Sequence, residues 1–203
     1  MWYFNSQTIK TPKTMVISDI TYPRQIFRDS DTLTSLGIKS YREVTPDSRY
    51  YWNGEFTIDT SGDEVVGTYA GTARDVGTLK ANMLGVIDSQ VASRQGAIDW
   101  YWARADKGGK AIPDAIATYA TTIYSEQATK EDEVAALSTL EAVMAYENKP
   151  YTETRKVAVY DEDGNVSYGD ETETSTRHIN ECTHFTANPT DEVDPAFVSL
   201  VAD

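Results

Sequence analysis

The chain has 203 residues, and its 32 Asp and Glu outnumber its 18 Lys and Arg, for a formal charge of −14. Hydrophobic residues make up 40% and charged residues 25%, ordinary globular usage that excludes wholesale disorder. The acidic balance excludes binding along a nucleic-acid backbone, which needs clustered Lys and Arg. The single cysteine, Cys182, excludes an intrachain disulfide framework.

Residues 126–203 hold 18 of the acids and 5 of the bases, whereas residues 1–125 hold 14 and 13. Such asymmetry marks a solvated face or a surface that meets a basic partner. The opening Met1–Ser6 has no basic segment followed by an apolar one, so no signal peptide is expected. No stretch approaches the roughly 18 apolar residues of a membrane span. Synthesis in a cytoplasm, with retention there or incorporation there into something larger, is therefore expected.

Three zones follow in chain order, and they predict an α+β fold: a β-rich domain over 1–72, an antiparallel helical bundle over 73–148, and an acidic, hairpin-containing β extension over 149–203. In the first zone Ser6–Ile9 and Thr14–Ile17 are short β-favouring runs separated by Pro12. Asn53-Gly54 predicts a turn before a Phe56–Ile58 strand, and Ser61-Gly62-Asp63 a second turn before a strand over Glu64–Tyr69. No helical window of useful length is expected here.

In the second zone Val76, Leu79, Met83, Ile87 and Val91 recur every three or four residues, an amphipathic helix with Asp75 as N-cap and Gly96 as its stop. A short aromatic segment, Ala97–Arg104, ends at Gly108-Gly109. Pro113 opens the next helix, whose apolar face is Ile112, Ile116, Tyr119 or Ala120, and Ile123. Ser138 and Glu141 have capping-box spacing before Ala142–Ala145. In the third zone Val157–Tyr160, Asp161–Asn165 and Val166–Tyr168 predict a hairpin. The last stretch carries Pro189, Pro195 and many acids. It is expected to hold order only if pinned against something, such as another chain.

Chemical motifs are sparse. Asp161–Asn165 resembles the start of a calcium loop, but the sixth and twelfth positions hold Val166 and Thr172 where an EF-hand has Gly and Glu. His178, Cys182 and His184 would share a face if the segment is a strand. Cys182 and His184, about 7 Å apart along it, are then the metal candidates, with His178 out of reach. No nucleophile elbow, P-loop or dinucleotide fingerprint occurs, so no catalytic residue and no cofactor is expected. Asn165-Val166-Ser167 matches a glycosylation acceptor but means nothing without a secretion signal. Tyr50, Tyr51 and Trp52, and Trp100, Tyr101 and Trp102, are the aromatic clusters and the candidate interface residues. On a helix Trp100 and Arg104 can stack, while Tyr101 points elsewhere.

Two stretches carry a family resemblance. Ile20-Thr21-Tyr22-Pro23-Arg24-Gln25-Ile26-Phe27, followed by Leu33-Thr34-Ser35-Leu36-Gly37-Ile38, resembles the opening of small tail-fibre and tail-fibre-assembly-like proteins of tailed bacteriophages. Ile98–Ala105, then Gly108-Gly109 and Ile112-Pro113, resembles the segment that follows their long amphipathic helix. The resemblance spans roughly residues 15–147 and leaves the acidic C-terminal extension outside it. It implies a non-enzymatic virion component, a tail-fibre or tail-adaptor protein that multiplies around a symmetry axis and binds other virion proteins. A tail-fibre assembly chaperone, a head decoration or cement protein, and a carbohydrate-binding module using the aromatic clusters are the alternatives.

Overall fold

A computed structural model describes residues 1–11 and 13–203. Its elements in chain order are β1 (Trp2–Phe4), β2 (Gln7–Ile9), β3 (Thr14–Ile17), β4 (Ile20–Pro23), a 3₁₀ segment over Arg24–Arg28, α1 (Ser30–Ser35), β5 (Lys39–Val44), β6 (Tyr51–Asp59), β7 (Glu64–Ala73), α2 (Val76–Asp106), α3 (Asp114–Ala136), α4 (Leu140–Tyr146), β8 (Lys149–Tyr160), β9 (Val166–Ile179) and β10 (Phe197–Ala202). The class is α+β, as the residue patterns predict. The chain divides into two compact units, Met1–Arg74 and Asp75–Asp203. The helices and the C-terminal strands, which the sequence reading set apart at 148, lie together in the second unit.

In the first unit a five-stranded sheet runs in the order β2-β1-β5-β7-β6, antiparallel except for the β5–β7 pair. The separate β3–β4 hairpin is antiparallel. Two hairpins turn on two residues each, Asn5-Ser6 and Ser18-Asp19, all four with positive φ. That is the mirror-type turn whose twist matches paired strands. Alternation then points Trp2 and Phe4 of β1, and Met15 and Ile17 of β3, toward the buried Ile26, Phe27, Leu33 and Ile38. The 3₁₀ segment supplies Ile26 and Phe27 and α1 supplies Leu33, in a stretch where no helix is expected, and Ile38 follows just before β5. Asp29 starts α1, its carboxylate accepting the Asp31 and Thr32 N–H groups.

Asn53-Gly54 is not a turn. Both residues lie inside β6, and the pairing with β7 shifts register between Asn53 and Phe56. Gly there marks an irregularity in a strand, the other standard use of the residue. Ser61-Gly62-Asp63 does connect β6 to β7.

In the second unit α2 runs 31 residues, straight through Gly96. Its buried stripe is Leu79, Met83, Ile87, Val91 and Ile98, so packing beyond Gly96 outweighs the roughly 1 kcal/mol that an interior glycine costs. Asp75 caps it, accepting from Thr78 N–H at 2.7 Å. α3 returns antiparallel: Lys80 donates to the Ala135 and Leu137 carbonyls, Asp88 accepts from Gln127, and Gln95 donates to the Ala120 carbonyl. The Lys80 ammonium sits on the carbonyl end of α3, where the helix dipole favours a cation. The helical part is thus a two-helix hairpin with the short α4 beside it. Thr139, not Ser138, caps α4 by accepting from Ala142 N–H.

The C-terminal sheet has the antiparallel order β10-β8-β9. The β8–β9 hairpin turns on Asp161–Asn165, as expected. The acidic end is pinned by its own chain, since β10 pairs with β8 from Arg155 to Tyr151. Arg155 clamps the return by holding Glu153 and Asp194 together, while Asp194 accepts the Ala196 N–H. Among the described residues no helix is long and apolar enough to cross a membrane.

Candidate functional site

The densest polar chemistry lies in the second unit, where α3, the start of β8 and the turns after β9 meet. Lys130 falls on the buried stripe of α3, seven residues after Ile123 and four before Val134. A helix period therefore carries its ammonium inward. Its Nζ lies 3.4 Å from Glu181 Oε2, and both side chains are buried. Tyr151 donates its hydroxyl to Glu181 Oε1, and Lys149 Nζ approaches the same oxygen at 3.6 Å. His184 Nδ1 lies 3.2 Å from the Tyr151 hydroxyl. With that hydroxyl donated to Glu181, the imidazole is the donor in this contact. The Phe185 ring takes Lys130 on a face, 5.2 Å from Nζ to ring centre, and Arg94 4.8 Å away.

A pocket of about 570 Å³ opens over these groups. Glu126 at its rim accepts the Thr186 N–H and hydroxyl, and Glu133 accepts the Tyr146 hydroxyl at 2.7 Å. Each titratable side chain lining the pocket is thus matched by another group of the same chain. Burial, reinforced by hydrogen bonds to Glu181 and Glu133, pushes the Tyr151 and Tyr146 phenols well above their ordinary range. Burial also lowers the His184 imidazole below its usual value, against the pull of the Glu181 carboxylate. The arrangement is that of a latch: it neutralises buried charge across three chain segments and holds the turns after β9 against α3.

Cys182 and His184 do not sit on a strand. β9 ends at Ile179 and the following residues turn, with Cys182 N–H donating to the Asn180 side chain. Strand alternation therefore does not set their faces. The Cys182 thiol is fully buried and pushed up to about 11, first by burial and then by the Glu147 charge. His184 turns its Nδ1 to Tyr151. Among the described residues no cluster of three or more His, Cys, Asp or Glu is placed to hold a metal ion. His178 is the penultimate residue of β9, opposite Pro150.

The aromatic candidates divide by exposure. Tyr50 is 4% exposed and packs inside the first unit, while Tyr51 is half-buried. Trp52 is 59% exposed, with the Arg74 guanidinium 3.6 Å above its ring. In α2, Trp100 is 51% and Trp102 39% exposed. Tyr101 does not point elsewhere: its ring centre lies 3.8 Å from that of Trp100, and Arg104 stands over both rings, 4.9 and 5.3 Å away. Adjacent residues meet here because large rings bend back over the helix surface.

Lys130, Glu181, Tyr151 and the Glu153–Arg155–Asp194 clamp form no motif in the sequence. One signal was available, a lysine on an apolar helical stripe. No family model matches the chain, and neither a curated protein nor a solved structure matches it.

Proposed function

We propose that the chain is a structural interaction protein of a tailed-phage virion, a tail-fibre or tail-adaptor component that works by surface complementarity and not by chemistry. The observation that carries this reading is the placement of its apolar side chains. Trp52, Phe56 and Ile58 are exposed on β6, an edge strand. Val159, Tyr160 and Val166 are exposed at the end of the β8–β9 hairpin. Unpaired strand edges and exposed aromatics are costly on an isolated molecule and serve as anchors where another subunit covers them. The matched charges of the pocket add to the reading, because they spend its polar groups on holding the fold together. The resemblance of residues 20–38 and 98–113 to tail-fibre-like proteins supplies the setting.

Mass spectrometry of purified particles tests the proposal. The chain is expected among the virion proteins at a fixed ratio to a tail component. Its absence from particles, with the chain present in the lysate, would contradict the proposal.

A further inference from the structure

The first unit holds an open basic pocket, and the second carries an exposed acidic tip whose chemistry suits it. The pocket, of about 420 Å³, is lined by Trp2, Thr11, Arg24, Gln25, Phe27 and Arg28. Arg24 and Arg28 bracket the 3₁₀ segment, both exposed, and neither has an ion pair or side-chain hydrogen bond among the described residues. The acid beside them, Asp29, is already committed to the N–H groups and hydroxyl that open α1. Burying Phe27 against Trp2, ring centres 5.3 Å apart, gives the pocket an aromatic wall. The indole N–H is taken by Thr11 Oγ1 at 3.0 Å, so that wall presents no unmet donor. Two unpaired guanidinium groups beside aromatic rings fit carboxylates carried next to an apolar or aromatic side chain.

The tip of the β8–β9 hairpin carries that combination. β10 pairs with β8 from Tyr151 to Arg155 and the Ala196 carbonyl takes the Lys156 N–H, so from Val157 onward β8 has β9 as its one strand partner. At roughly 3.3 Å per residue, the uncovered ribbon over Val157–Tyr160 is about 13 Å long. Its end presents Tyr160, 70% exposed, with Val159 and Val166. Asp161 fixes the turn, accepting the Asp163 and Asn165 N–H groups at 3.0 and 2.8 Å and the Asn165 side chain at 3.0 Å. The carboxylates of Glu162 and Asp163 are left exposed and without partners among the described residues. A turn held this way loses little freedom on binding.

We infer that the Tyr160–Asp163 tip of one copy seats in the Trp2–Arg28 pocket of a second copy. This rests on the reading of the chain as an assembling structural component, and it names the contact. Tip and pocket are different surfaces, so copies join either reciprocally about a twofold, each tip in the other's pocket, or head-to-tail into a ring or a filament. Opposite charges on the two surfaces favour this pairing and disfavour tip against tip.

Charge reversal in the full chain tests it, read by sedimentation velocity over a concentration series. The wild type is expected to associate, and to do so more weakly as salt shortens the screening length. Arg24→Glu with Arg28→Glu, and separately Glu162→Lys with Asp163→Lys, each weaken self-association by about tenfold or more. All four residues are exposed and unpaired, and circular dichroism confirms that the variants fold. Mixing the two variants in equal amounts restores association, because each mutant surface then meets its complement. A wild type that stays monomeric, or a mixture no better than its parts, overturns the inference. Variants that associate as the wild type does also overturn it by placing assembly on another face, and they leave the proposed function standing. That proposal fails separately, if the chain is absent from particles.

Discussion

Lys130 and Glu181 form a buried ion pair, Nζ to Oε2 at 3.4 Å, that ties α3 to the turns following β9. Removing one partner strands the other charge in the interior. Glu181→Gln is therefore expected to cost about 3–5 kcal/mol. Lys130→Met with Glu181→Leu recovers part of that loss, since it strands no buried charge, the remainder being the buried Tyr151 hydroxyl left without its acceptor. Urea unfolding midpoints of the two variants decide this, and equal losses would contradict the latch.

His184 makes stability depend on pH on the acid side. Burial holds its folded-state value below the unfolded value of 6.5. The unfolded chain then binds more protons, so stability is full above about 6.5 and falls as pH drops through the folded value. Asp29, Asp75 and Asp194 act in the same sense at lower pH, because their hydrogen bonds lower their carboxyl values. His184→Gln is expected to flatten the loss just below pH 6.5 and leave the lower limb in place. The check is a set of unfolding curves between pH 7 and 4.

Cys182 gives the alkaline counterpart. Its thiol is held up at about 11 against an ordinary 9.0, so the folded chain keeps a proton that the unfolded chain loses. Stability should fall as pH rises from about 9 towards 11, and Cys182→Ala should reduce that fall. The native thiol should also resist a thiol reagent at pH 8 and react fully in denaturant. Rapid labelling of the folded protein would count against its burial.

Gly67 lies in β7 under Tyr41 and Phe56. A Cβ added there would meet the Tyr41 hydroxyl, and the Phe56 ring at 2.6 Å. Gly67→Ala is expected to destabilise the first unit by about 1–3 kcal/mol through overpacking. Phe56→Leu should relieve part of this in the double variant. Thermal unfolding of the three proteins provides the comparison.

Periodicity and local chemistry made much of this fold legible. The stripe from Val76 to Val91, the Asp75 cap, the hairpin on Asp161–Asn165 and the short strands around Pro12 are all local signals. The failures have physical causes. Gly96 and Asn53-Gly54 read as punctuation, yet Ile98 and the β7 partner supply packing that carries helix and strand past them. Asn5-Ser6 and Ser18-Asp19 lack the glycine that advertises a tight hairpin. The strand expected through His178–His184 stops at Ile179, because Glu181 and Cys182 are buried in turns. The latch needs Lys130 and Glu181, 51 residues apart, and only the fold brings them together. The tip–pocket match was half visible, as acid concentrated after residue 126, while the basic pocket depends on the 3₁₀ segment between Arg24 and Arg28.

Imaging of particles carrying a compact label on this chain tests the structural role most directly. The account predicts label density at the tail, in several copies arranged about its axis. Density spread over the head, or particles bearing no label although the labelled chain is made, would contradict it.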